Sequence, residues 1–147
     1  MINFVTKHFS ELDTKELYEI LKLRSEVFVV EQNCPYQDCD DKDQESYHLS
    51  GYENNILVAY ARLLPDGVSY EHYCSIGRVA TKPAFRNKSY GKILMAEAIH
   101  FCKENFSFNI KISAQAYLEK FYREFGFITV SEPYMEDDIP HIAMVRK

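Results

Sequence analysis

The spacing of apolar positions changes several times along the chain, and each change marks an element. A short strand is predicted near Ile2 to Val5. Asp13 then offers a helix N-cap with Glu16 three residues on, and Leu17, Ile20, Leu21, Val27 and Phe28 recur at helical spacing, which predicts a helix to about Val30. The next sixteen residues, EQNCPYQDCDDKDQES, are polar, acidic and without period. Loops of this length are uncommon in compact domains and are often functional. YHLSGYE, a turn at Asn54 and Asn55, ILVAYARLL closed by Pro65, Asp66 and Gly67, and VSYEHYCSIGRVAT then predict an antiparallel meander. KILMAEAIHFCKE is helical, with Leu94, Ala98, Phe101 and Cys102 on one stripe and Glu97, His100 and Glu104 on another. Phe108, Ile110 and Ile112 alternate in the following strand. AYLEKFYREF predicts a short helix stopped by Gly126, and FITV and IAMVRK predict closing strands.

Strand, helix and strand in that order make a right-handed crossover whose flanking strands are parallel. The expected fold is therefore a mixed α/β (α+β) sandwich in one domain, residues 1–147, and not a doubly wound sheet. Composition agrees: 46% of residues are hydrophobic and 27% charged, ordinary values for a globular protein. No apolar run approaches the roughly 20 residues of a membrane span, and the N-terminus lacks the features of a targeting peptide, so a cytoplasmic location is expected. A net charge of -5 argues against a general nucleic-acid binder. Cys34, Cys39, Cys74 and Cys102 fit no zinc spacing and are expected to be reduced thiols. A calcium loop starting at Asp41 fails, with Ser46 where glycine is needed and Tyr52 where glutamate is needed.

The segment RNKSYG, Arg86 to Gly91, lies where a strand hands over to a helix, with two basic residues and a closing glycine. A helix start has unpartnered N–H groups and partial positive charge, so this composition suits an anion. A P-loop is excluded, because Arg86 stands at the first glycine position and Ile93 follows Gly91-Lys92. A dinucleotide fingerprint is excluded because it needs three glycines.

Arg86, Ser89 and Gly91 occupy the places of a basic residue, a glycine and a glycine in motif A of the GNAT superfamily of N-acetyltransferases, which this segment resembles; Ser89 departs from the usual glycine. IGRVAT before it, ISAQA after the helix, and AYLEKFYREFGF, similar to motif B, extend the resemblance. With LRSEVFVVEQNCPYQDCDD and DDIPHIAM it covers nearly the whole chain and narrows to the ElaA-like subfamily. The resemblance implies a central, mostly antiparallel mixed sheet with one parallel strand pair that splays beyond a bulge, flanking helices, and acetyl-CoA as cosubstrate in the splay, with no metal. The splaying strands would end at Thr81 and Ser113. Carried over, the segment Arg86, Asn87, Lys88, Ser89, Tyr90, Gly91 and Lys92 would hold the pyrophosphate. Val79 and Thr81 would pair with the pantetheine arm, Val79 or Ala80 would polarise the thioester carbonyl, and Gln115 would close the cofactor-binding set.

The implied reaction is N-acetyl transfer to a primary amine by direct attack in a ternary complex. An amine of pKa about 10.4 must lose a proton before attack, and the departing thiolate is helped by an acid. The resemblance gives the second role to Tyr122. For the base, Glu31, His48 and His141 remain open, each also readable as a solvated carboxylate or a core histidine, and an ordered water chain is a fourth solution. The acidic stretches Asp38 to Asp43 and Glu136 to Asp138 would steer a cationic amine if they flanked the cleft. Cys34 reads as a packing cysteine, since direct attack needs no acyl-enzyme. Expected partners are a small-molecule or peptide amine, without nucleic acid or membrane, and a homodimer is the assembly considered. The alternative on the same fold is a non-catalytic acyl-CoA-binding or sensing module. A further alternative is an adaptor that docks a basic protein on its acidic loop.

Overall fold

Residues 1–107 and 109–147 are described by a computed structural model, and the expectation for Phe108 lies outside them. The chain runs β1 (Asn3–His8), α1 (Thr14–Arg24), β2 (Tyr47–Glu53), β3 (Ile56–Leu64), β4 (Ser75–Thr81), α2 (Tyr90–Asn105), β5 (Ile110–Gln115), α3 (Glu119–Arg123), β6 (Ile128–Thr129), β7 (Tyr134–Glu136) and β8 (Ile139–Arg146). Asp13 caps α1 as expected: its side chain accepts from the Glu16 N–H while the Glu16 carboxylate accepts from the Asp13 N–H. The predicted helix does reach Glu31, but Ser25–Glu31 winds as a π-helix.

The mixed sheet is built as two antiparallel halves. One has the order β1-β2-β3-β4; in the other β8 pairs with β5, β6 and β7. They are joined by a parallel bridge between Cys74 and Ile110, where the Cys74 N–H donates to Asn109 O at 3.2 Å and the Lys111 N–H to Cys74 O at 2.9 Å. Beyond it β4 and β5 separate, which is the splayed parallel pair that was expected. The long third meander segment is regular strand only over β4, because residues 68–73 turn back on themselves with an isolated bridge between Tyr70 and Tyr73. β7 was not anticipated. It is three residues long, with each residue on the exposed side and no alternation, and pairs with β8 as a hairpin across Asp137 and Asp138.

β3 carries the core on both faces, which is why it reads as a continuous apolar run. Ile20, Leu23 and Val27 pack on Leu57, Tyr60 and Ala80, and on the other side Leu94, Met95, Ala98 and Cys102 of α2 pack with Val58, Ala61 and Leu63. Between β3 and β4 the register slips so that Ala61 faces both Arg78 and Val79. This bulge puts Arg78 at φ 49°, a left-handed conformation that a long side chain seldom adopts.

The long acidic loop is what holds it there. Arg78 Nε donates to Asp38 Oδ1 at 2.8 Å and its Nη2 to Asp38 O at 2.8 Å. The second carboxylate oxygen of Asp38 accepts from Arg24 Nε at 2.7 Å, and Arg24 is fully buried. Arg24 Nη1 and Arg62 Nη1 share Asp43 Oδ1 at 2.8 and 2.9 Å, and Arg62 grips Asp40 with two bonds of 2.7 and 2.8 Å. The expectation that Asp38 to Asp43 steers a cationic amine is thereby corrected for Asp38, Asp40 and Asp43, whose charge is matched by the protein's own arginines.

Removing one partner of a buried ion cluster leaves charge uncompensated, so Asp43→Ala is expected to destabilise the protein by about 3–5 kcal/mol in urea unfolding. Burial alone would raise the Asp43 carboxyl, but the hydrogen bonds and charges of Arg24 and Arg62 outweigh it and hold the group below the usual carboxylate range. A depressed carboxyl stabilises fully above its unfolded value of about 3.9 and ceases to do so as pH falls through the folded value. The urea midpoint should therefore be level from about pH 7 to 5 and drop below about pH 4. Asp43→Asn should start lower and drop less.

Candidate active site

Between the parted strands lies a cleft of about 1020 Å³, lined by β4, by Ile112 to Gln115 of β5, by the π-helical turn, by Tyr122 and by the β7–β8 hairpin. Past the bulge the edge of β4 facing β5 has no strand partner among the described residues. The Lys82 N–H donates to Val58 O at 2.7 Å on the β3 side. Because strand N–H groups alternate sides, the Ala80 N–H also faces β3, whereas those of Val79 and Thr81 face the cleft. Of the two residues expected to polarise a carbonyl, Val79 is placed for it and Ala80 is not; the Ala80 side chain is buried under α1.

The handover from β4 to α2 is a tight turn, Pro83–Lys88, followed by Ser89 at φ 59° and ψ 25°. That is the left-handed conformation in which glycine carries no penalty, which explains the motif's preference and marks Ser89 as a strained substitute. Ser89 makes no side-chain cap on α2, so the first amides of the helix lack the partner that a capping residue supplies. Gly91 lines the cleft, and a Cβ there would meet no protein atom closer than Phe121 Cζ at 4.0 Å. Packing against other elements does not require glycine at that position, and its lack of a side chain leaves the backbone open to the cleft. These features fit the diphosphate of a coenzyme A thioester.

The side chains of the segment divide. Arg86 lines the cleft, with Nε donating to Thr81 O at 3.1 Å and Nη1 and Nη2 donating to the two Glu31 oxygens at 2.5 and 2.6 Å. Lys88 and Tyr90 turn the other way and both bond Glu53 at the end of β2, so they can offer an anion only their backbone. The side chains of Asn87, Ser89 and Lys92 do not line the cleft. Gln115 does, and its Nε2 reaches Gln32 Oε1 at 3.3 Å.

Tyr122 lines the cleft at 7% exposure, and its hydroxyl has no hydrogen-bond partner among the described residues. Burial, with a smaller effect from Tyr117, pushes it up to about 12. The three base candidates separate clearly. His48 is not at the cleft: it is 1% exposed, with Nδ1 against the Tyr60 hydroxyl at 2.7 Å and Nε2 against Asp43 O at 3.0 Å. Both nitrogens are used, burial lowers its pKa, and it is a satisfied core histidine that seats the Asp43 loop. Glu31 is at the cleft, but hydrogen bonds from Arg86 hold its carboxyl below the usual range, which makes it a weaker base.

His141 is buried on β8, with Nδ1 at 2.7 Å from Ile139 O and Nε2 open to the cleft, 3.6 Å from Glu136 Oε2. A carbonyl only accepts, so Nδ1 carries the proton and Nε2 presents its lone pair. Around it Tyr134 stacks at 6.3 Å and donates to Ser113 Oγ at 2.6 Å, leaving the Ser113 hydroxyl to donate to Glu136 Oε1 at 3.1 Å. The residue pattern did not assign roles to Ser113, Tyr134 or Gln32. Cys34 is buried and donates to Asp137 O at 3.3 Å, which fits a packing role.

The acetyltransferase (GNAT) domain family matches residues 9–147. Protein ElaA of Escherichia coli is 45% identical over 150 aligned residues, covering all of this chain and 97% of that protein. A UPF0039 protein of Schizosaccharomyces pombe is 43% identical, covering 97% of this chain and 95% of that one. Among solved structures, an acyl-CoA N-acyltransferase from Pseudomonas aeruginosa superposes with a TM-score of 0.93 at 43% identity, and Escherichia coli ElaA with 0.92 at 43%, each over the full length of both chains. No helix among the described residues is long and apolar enough to cross a membrane. Splayed strands, a bulged edge and an uncapped helix start thus coincide with a full-length family match: the chain belongs to the GNAT acetyltransferase family and is an acyl-CoA-dependent acyltransferase.

Proposed function

We propose that the protein transfers an acetyl group from acetyl-CoA to a primary amine by direct attack. The observation that supports this most is the opening of β4 and β5 into a cleft beside unpartnered amides at the start of α2, with His141 and Tyr122 on its walls. In this assignment the amides opening α2 and the Arg86 guanidinium hold the diphosphate, and the cleft-facing edge at Val79 and Thr81 bonds the pantetheine arm as an added strand would. The Val79 N–H polarises the thioester carbonyl.

An ammonium reaching the cleft gives its proton to His141 Nε2, and Glu136 offsets the charge the ring takes on. The neutral amine nitrogen bonds the acyl carbon, the carbon–sulfur bond breaks, and the proton that the nitrogen sheds as it becomes an amide passes to the departing sulfur, giving the free thiol of coenzyme A. Tyr122 donates a hydrogen bond to the departing sulfur. A phenol at about 12 is too weak an acid to protonate a thiolate outright, given a thiol value of about 8.5, so its contribution is stabilisation rather than full transfer.

Replacing Tyr122 with Phe is expected to lower kcat by about 10²–10³ while coenzyme A affinity stays unchanged, measured by thiol release and calorimetry. His141→Gln should cost about 10²–10⁴ near neutral pH, and the deficit should shrink as pH approaches the amine's own value of about 10.4, where the acceptor needs no base. A deficit that is constant with pH would assign His141 a packing role. Glu31 competes with the diphosphate for Arg86, so Glu31→Gln should bind coenzyme A up to about fivefold more tightly, the scale of an exposed ion pair, and keep its kcat at saturation.

A further inference from the structure

Among the described residues one buried side-chain nitrogen or oxygen has no hydrogen-bond partner, and it is Nε of Arg62, a cleft-lining residue of β3 that is 4% exposed. Buried donors are ordinarily satisfied, and leaving one without an acceptor is costly. The far side of the same guanidinium is full: Nη1 donates to Asp40 and Asp43, and Nη2 uses one N–H on Asp40. The Nε–H and the second Nη2 N–H, which run parallel along the remaining edge, are left over. Such an edge matches the two oxygens of a carboxylate. The space beside it is open. Arg62 pairs with Gly77 across β3 and β4, Gly77 lines the cleft, and a Cβ on it would meet no atom within 4 Å.

Other unused donors line the same cleft. Ser75, two residues before Gly77 and so on the same face of β4, is 6% exposed, and its hydroxyl makes no hydrogen bond among the described residues. The Tyr70 hydroxyl also lacks a partner there; burial, with smaller effects from Tyr134 and Glu136, pushes it up to about 12, so it stays a donor near neutral pH. Lys42 follows two residues after Asp40, which Arg62 grips, and its Nζ donates to Ser69 Oγ at 3.2 Å without an ion pair among the described residues. Arg24, Arg62 and Arg78 are balanced by Asp38, Asp40 and Asp43, which leaves Lys42 as the unmatched cation beside them. One spare positive charge suits a carboxylate better than a phosphate dianion. Resting on the acetyl-transfer assignment above, we infer that Arg62, Ser75 and Lys42 hold a carboxylate of the acceptor, which is therefore an amino acid and not a plain amine. His141 on β8 serves its amine.

The test takes the unbranched ω-amino acids from glycine to 5-aminopentanoate and sets each against its own amide, equal in heavy atoms and lacking the negative charge. Each compound is titrated calorimetrically into protein saturated with coenzyme A, and thiol release from acetyl-CoA is followed separately. At least one acid should bind about tenfold or more tightly than its amide, the scale of charge-assisted hydrogen bonding. For that acid, Ser75→Ala combined with Lys42→Met should bring the ratio below about threefold, since both keep the side-chain stem and leave the Arg62 bonds to Asp40 and Asp43 in place. Ser75→Ala alone should give an intermediate ratio if the double variant fails to fold. Equal affinities throughout the series, a preference for the amides, a ratio that the substitutions leave unchanged, or no binding of any compound would overturn the inference. Selective binding of an acid without thiol release would refute acetyl transfer and leave the carboxylate site standing; thiol release equal for acids and amides would do the reverse.

Discussion

Asp38 ties the shape of the cleft to the core. One of its oxygens accepts from Arg24, fully buried at the C-terminal end of α1, and the other from Arg78, the residue that turns left-handed at the bulge of β4. An arginine does not adopt φ 49° without compensation, and here two bonds to Asp38 supply it. The bulge in turn ends the pairing that would keep β4 in step with β3 and turns the Val79 edge toward the opening. A loop with no periodicity of its own is therefore the element that fixes where the cleft begins.

Electrostatically the same loop is spent on structure. Asp38, Asp40 and Asp43 are matched to Arg24, Arg62 and Arg78, so most of the acidic charge of residues 38–43 is neutralised within the fold. The much shorter acidic hairpin at Glu136 has no such match, and it stands against the base on β8. Charge runs of similar composition thus do opposite work according to whether arginines from neighbouring elements reach them. At the other end of the cleft Glu31 clasps Arg86, so the anion site carries an internal carboxylate that an incoming diphosphate must displace or share.

Much of this architecture was legible in the chain. The Asp13–Glu16 capping pair, the apolar run of β3, the stripe of α2 and the crossover were readable because each obeys one period over many residues. The anion turn was readable because Arg86 to Gly91 combine charge and glycine at a strand–helix handover. What could not be read came from contacts across long separations. Nothing local to YHLSGYE distinguishes a catalytic histidine from His48, whose ring is settled by Tyr60 and by Asp43 O; nothing local to IPHIAM shows that Ile139 O fixes the proton of His141. β7 escaped notice because three exposed residues carry no period, and with it went Ser113 and Tyr134, whose bonds depend on that hairpin.

The most direct measurement is a crystal structure of the protein with coenzyme A. The account predicts the diphosphate about 3 Å from backbone amides at the Ser89–Gly91 start of α2, with the Arg86 guanidinium bonded to phosphate oxygen and its clasp on Glu31 opened or shared. Coenzyme A bound elsewhere, with those amides facing solvent and the Arg86–Glu31 pair intact, would contradict it.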